Sequence, residues 1–129
     1  MRDSESGARG AVAVEFILLV PVFLALVFGV MDWGHYFTVR EVVVNAAREG
    51  ARAGTLGPGV DPVGAAEAAL TRGGVDPSHA TISLTTDGAT ACPSSDSCVF
   101  IQYDVQPLTG YLPAPIVPNV TTAAAQMRK

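Results

Sequence analysis

Charge is what this sequence has least of. Only 16 % of its 129 residues are Asp, Glu, Lys or Arg, the formal net charge is a mild -4, and the 8 basic residues form no cluster. A nucleic-acid surface needs a patch or stripe of Lys and Arg, so that class of partner is excluded. Cysteine is limited to Cys92 and Cys98, too few for a tetrahedral zinc site and not at the C-x-x-C spacing of redox work. His35 and His79 are far apart and neither has a partner at ligand spacing. No base stands at a recognisable spacing from Ser94, Ser95 or Ser97, so nucleophilic catalysis has no support. The reading is no enzyme, no metal and no cofactor. Glycine and proline are plentiful but concentrate after Gly50, dividing the chain into a regular first half and a turn-rich second half.

What is present begins with a polar stretch, residues 1–10, without periodicity and with two glycines; it reads as a tail or leader. From Ala11 to Met31 the only ionisable residue is Glu15. About 21 residues at helical rise span roughly 30 Å, the thickness of a hydrocarbon core. Pro21 falls inside this run, removes a backbone donor and predicts a kink, which membrane helices tolerate. Trp33, Tyr36 and Phe37 follow where an interfacial aromatic belt belongs, while Arg2 and Arg9 precede the span. The segment therefore reads as a single-pass span of the cytoplasmic (inner) membrane, with the N-terminus inside and the C-terminal part in a periplasm or outside.

The helical pattern continues past the span through residues 32–54. Val39, Val42, Val43, Ala46, Ala47 and Gly50 recur at i, i+3, i+4, i+7, leading on to Ala53 and Gly54, with Glu41, Asn45, Arg48 and Arg52 on the other face. The stripe narrows to small residues, which lets a second backbone approach closely. "GTLGPGVDP" then stops the helix. Ala11 to Gly54 makes one helix of roughly 65 Å, half anchor and half spine.

Residues 55–129 read as a small α+β head. "DPVGAAEAALTRGG" predicts a short helix with Asp61 as N-cap, Pro62 at its first position and Gly73 closing it. "ATISLTT" (80–86) and "CVFIQYDVQ" (98–106) alternate as strands, the second with Val99, Ile101, Tyr103 and Val105 on one face. "DGATACPSSDSC" joins them, "PLTGYLPAPIVPN" is an irregular crossing with four prolines, and "VTTAAAQMRK" returns as a last strand. The expected architecture is α+β: a long N-terminal transmembrane and spine helix packed on an antiparallel sheet of about three strands.

Glu15 admits three readings: a signal anchor with a stray carboxylate, a cleaved secretory signal peptide, or the fifth residue of a chain that begins at Ala11. The third rests on a resemblance. Glycine, four apolar residues, then glutamate opening an apolar helix ("GAVAVEF", from Gly10) resembles the cleavage and assembly signature of type IV pilin-like proteins. Cutting there would expose an α-amine with a pKa of about 8, which a neighbour's Glu15 can pair; each charge alone in apolar surroundings is expensive. The stretch from Gly10 to Phe37, with Pro21 and Gly29, together with "VVVNAAREGARAGTLG" and the closing "VTTAAAQMRK", is similar to the TadE-like pseudopilins of tight-adherence (Tad/Flp) pilus systems. That resemblance implies cleavage between Gly10 and Ala11 by a prepilin peptidase. It implies a non-catalytic minor subunit that primes or caps filament assembly and is incorporated into the pilus. The implied partners are the peptidase, a second TadE/TadF-like pseudopilin, the major Flp pilin, an inner-membrane assembly platform and the lipid bilayer.

Other residues are weighed more simply. Cys92 and Cys98 enclose a short polar loop, and in an exported head a disulfide there would pin a hairpin end; free thiols are the alternative. Asp87, Asp96 and Asp104 could hold calcium only if folding brought them together, and they read more simply as turn formers. The sequon at Asn119 reads as incidental. Tyr111, Leu112 and Ile116 on the proline-rich crossing form either a partner surface or a strap over the sheet. The rival function is a membrane-tethered binding module with an uncleaved signal anchor. The stripe from Val39 to Gly54 separates the two: cover by its own head alone suits an anchor, spare apolar surface suits assembly.

Overall fold

The computed structural model describes the backbone of residues 3–110 and 116–128, with side chains from residue 12 onward. Helix α1 runs unbroken from Asp3 to Ala53 and passes through Pro21. Its 51 residues extend about 75 Å at 1.5 Å per residue. The helix starts well before Ala11, within the stretch read as a polar tail. Ser, Glu, Ala and Arg are adequate helix residues, and extending an existing helix is cheap, so Gly7 and Gly10, at about 1 kcal/mol each, do not stop it. At the other end Gly54 and Thr55 close it: Gly54 N–H donates to Gly50 O at 3.2 Å, and the Thr55 hydroxyl donates to Arg52 O at 2.7 Å. Gly57 and Gly59 then turn the chain with φ of 121° and 110°, values that side chains rarely adopt.

Helix α2, Pro62–Arg72, starts at Asp61, whose carboxylate accepts the Val63 N–H at 2.9 Å, and ends at Gly73. A single 3-10 turn, Pro77–His79, capped by Asp76, leads into the sheet and is not apparent from the sequence pattern. Strands β1 (Ala80–Ser83), β2 (Asp96–Asp104) and β3 (Val120–Arg128) form an antiparallel sheet in the order β1-β2-β3. The fold is thus α+β, a long apolar helix with a three-stranded antiparallel sheet.

Three strand boundaries depart from the reading by alternation; one is the end of β2, at Asp104 rather than Gln106, where pairing with β3 runs out at Val120. β1 ends at Ser83 rather than Thr86, because the chain turns back on itself there: Thr85 pairs with Ala91 and Thr86 N–H donates to Thr90 O at 3.0 Å, while the Thr85 hydroxyl meets Ser83 Oγ (2.9 Å) and accepts the Gly88 N–H (3.0 Å). Asp87 then gathers the Ala89 and Thr90 N–H groups into a tight loop. β2 begins at Asp96, inside the expected loop, because nine residues of β3 pair with it from Asp96↔Arg128 to Asp104↔Val120.

The core lies between α1, α2 and one face of the sheet. Val39, Val43, Ala46, Ala47 and Ala51 of α1 meet Leu70 of α2 and Val99, Ile101 and Tyr103 of β2. Small residues set the spacing. A Cβ at Gly50 would lie 2.8 Å from Pro62 O, 3.0 Å from Ala66 Cβ and 3.2 Å from Val99 Cγ2. Gly73 likewise sits against Val42 with no room for a side chain. The helices can approach this closely only where Cβ is missing.

Candidate functional site

The feature that sets this chain apart from an ordinary small domain is the first half of α1, which the head leaves bare. Every side chain from Val12 to Leu19 is exposed, Phe16 and Leu18 to 69 % and 70 %. Val12 to Ala53 is the one helix among the described residues that is long and apolar enough to cross a membrane. Glu15 lies on this bare stretch and is exposed. Pro21 lies within the same uninterrupted helix. Gly10 and Ala11 lie on its backbone, and their surroundings fall outside the described residues.

The head takes hold of the helix at Asp32, the first residue after the apolar run. Its carboxylate is buried, 2 % exposed, because Pro107 and Thr109 after β2 and Val117 before β3 close around it. Thr109 donates twice, its N–H to Asp32 Oδ1 at 2.9 Å and its hydroxyl to Oδ2 at 2.6 Å. These bonds, the hydroxyl's first, hold the Asp32 carboxyl below the usual carboxylate range. Beside it a cavity of about 230 Å³ is lined by Asp32, His35, Val105, Pro107, Val117 and Asn119. Trp33, Tyr36 and Phe37 cluster next to it, with the Trp33 and Phe37 ring centres 5.6 Å apart. The sequence pattern does not single out Asp32 as an anchor. Its partner is 77 residues away, and the only local signal is an acid set directly against an apolar run.

The stripe residues are distributed as follows. Val39, Val43, Ala46, Ala47 and Gly50 are buried and Val42 is half-buried, all under the chain's own head, while Glu41, Asn45, Arg48 and Arg52 face outward. Cys92 and Cys98 are joined, S–S 2.06 Å, beside the end of α1. Together with the 54–62 turn they border a second cavity of about 520 Å³ at the far end of the head.

The remaining candidates are not gathered into a site. Asp87 is occupied by the N–H groups of Ala89 and Thr90 and the Thr90 hydroxyl. Asp96 and Asp104 stand at opposite ends of β2, about 27 Å apart at strand rise. Among the described residues no three His, Cys, Asp or Glu come together as metal ligands. His79 lies edge-on to Tyr103, ring centres 6.3 Å apart. Ser95 bonds Asp96, and Ser97 is buried against Gly54. Ile116 is half exposed, and Tyr111 and Leu112 lie outside the described residues.

Comparison with known proteins bears on the helix alone. No curated protein and no solved structure matches the chain. Residues 10–52 match the family model described as TadE-like protein. The match starts at the expected Gly10 and ends in the last turn of α1. It takes in Glu15, Pro21, Asp32 and the buried stripe, and leaves the sheet outside. Over these residues, about a third of its length, the chain is similar to TadE-like proteins.

Proposed function

We propose that the chain is a minor pilin, a pseudopilin that is cut between Gly10 and Ala11 by a prepilin peptidase and then primes or caps Tad/Flp pilus assembly. The observation that carries this is the bare α1 segment holding Glu15, combined with the family match over the same residues. The head contributes nothing to covering residues 12–19. A lone carboxylate at a bilayer centre costs about 2.5–3.5 kcal/mol on insertion scales, and less toward the edge where Glu15 stands. That penalty permits insertion of a single subunit. It is relieved when a neighbour's new α-amine pairs with the acid, which favours one axial register between stacked helices. Glu15 is then the assembly residue, Pro21 an adjustment of the helix path, and the buried stripe the platform for the head. The partners on this reading are a second TadE/TadF-like pseudopilin, the major Flp pilin and the inner-membrane assembly platform.

One observation favours the rival. The stripe from Val39 to Ala53 is covered by the chain's own head, so it offers neighbours no spare apolar face, as an anchored binding module would require. The surface left for assembly is the segment before Asp32. Glu15→Ala separates the readings. The variant is expected to express and insert normally while piliation falls sharply. Normal piliation would leave the helix as an anchor only.

A further inference from the structure

Asp32 is the one charged side chain buried among the described residues. A buried charge is ordinarily matched by an opposite one, because leaving water alone is expensive. Here neutral donors hold it: the Thr109 N–H at 2.9 Å, the Thr109 hydroxyl at 2.6 Å, and the Leu108 N–H. A carboxylate offers about four lone-pair sites, so these bonds leave room for a further donor. Among the described residues the cationic group that acts on it is His35, one turn further along α1. A histidine is a full cation only in acid, below about pH 6.5. The site thus holds a negative charge at neutral pH with no permanent cation among the described residues to offset it.

The cavity of about 230 Å³ beside this carboxylate lies at the lower end of the head. Ser97, at the start of β2, packs against Gly54, and Val105, just past the other end of β2, lines the cavity. Asp32 and His35 both follow Met31 within about 6 Å of helix rise. The headgroup layer on each side of a bilayer is about 5–8 Å deep, so the cavity stands at that level. Its volume is below the roughly 300 Å³ at which pockets for drug-sized molecules begin, which suits one small group and excludes an element of another protein. Val105, Pro107 and Val117 give it apolar walls, and Asn119 adds an amide. No aromatic ring lines it; Trp33, Tyr36 and Phe37 stand outside. A quaternary ammonium, which has no N–H and is held by aromatic faces, therefore finds nothing there. A primary ammonium brings three N–H donors to a site that offers a carboxylate. No three metal ligands gather among the described residues, which argues against a metal ion as the occupant.

We propose that this cavity binds the primary ammonium of a phosphatidylethanolamine headgroup, with the Asp32 carboxylate as its counter-ion. The chemistry recognised is an alkylammonium with free N–H groups, and the membrane beside the cavity is its source. A bound headgroup ties the lower end of the head to the lipid surface next to the span, and the Thr109 bonds orient the carboxylate that receives it. This inference rests on reading residues 11–31 as a membrane span and is independent of the role in pilus assembly.

The test uses the full chain in nanodiscs at pH 8, where imidazole does not compete as a cation. The discs hold equal parts of phosphatidylethanolamine and phosphatidylcholine with the same acyl chains, and native mass spectrometry reads which lipid stays on the released chain. The ethanolamine lipid is expected to be retained over the choline lipid by at least about tenfold, the worth of one hydrogen bond to a charged group. Asp32→Asn is expected to lose that preference, and a preference that survives it overturns the role of Asp32. A second measurement needs no variant: on the wild-type chain, adding methyl groups to the ethanolamine nitrogen one at a time should lower retention stepwise. Equal retention of all these lipids by a chain that stays in the discs overturns the site and spares the span. A chain that does not stay with the discs overturns both. Soluble glycerophosphoethanolamine, added to discs of phosphatidylcholine alone, is expected to bind far more weakly than the lipid; equal binding overturns the membrane as the source.

Discussion

Gly50 and Gly34 lie on the same helix and differ in one respect, what stands next to the missing side chain. At Gly34 nothing lies within 4 Å of the place a Cβ would take, whereas at Gly50 the same atom would meet Pro62 O at 2.8 Å, Ala66 Cβ at 3.0 Å and Val99 Cγ2 at 3.2 Å. Alanine is better than glycine in a helix by about 0.8–1.0 kcal/mol, a gain both substitutions share. Gly34→Ala is expected to keep it. Gly50→Ala must also push a backbone carbonyl and two side chains apart, an overpacking cost of about 1–3 kcal/mol. The net change is a loss of up to about 2 kcal/mol. The difference between the variants, in which propensity cancels, measures the close approach directly. Urea unfolding of the detergent-solubilised chain, followed by circular dichroism, gives both midpoints. A Gly50→Ala protein as stable as Gly34→Ala would refute the claim that missing side chains set the distance between α1, α2 and the sheet.

Further outcomes follow from the same structure. Leu70→Ala empties a fully buried position and is expected to cost about 2–5 kcal/mol in the same assay, while Leu56→Ala, 70 % exposed, should leave the midpoint in place. Asp32→Ala removes the acceptor for both Thr109 donors; hydrogen exchange should speed up across residues 105–110 and remain unchanged in β1. Asp87, held below the ordinary carboxylate range chiefly by the Thr90 and Ala89 N–H groups, gives the pH dependence a definite sign. A lowered folded pKa contributes stability above the unfolded value of about 3.9 and loses it as pH falls through the folded value. Thermal stability should therefore be flat from neutral to mildly acidic pH and fall below about pH 4, and Asp87→Asn should make that acid limb shallower, leaving the share of Asp32 and Asp76, whose carboxyl pKa values are lowered as well.

The helix and the sheet were legible because their signals are local. Asp61-Pro62 marks the start of α2 through a cap and a fixed φ, both within one turn. The alternation of Val99, Ile101 and Tyr103 marks the buried face of β2 in the same way. Strand ends are less legible, since β1 stops where Thr85 leaves β2 and pairs with Ala91 within its own loop, a local pairing that alternation does not register. Asp32 could not be found from its neighbours at all, because Thr109 lies 77 positions further on. The start of α1 at Asp3 shows the opposite failure. A polar, glycine-containing stretch looks unstructured alone, yet it continues a helix nucleated by the residues that follow.

Mass spectrometry of the N-terminal peptide from native membranes tests the assembly account most directly, because the amine that is to meet Glu15 exists only after cleavage. The account expects the mature chain to begin at Ala11. A chain that begins at Met1 in assembled material would contradict it.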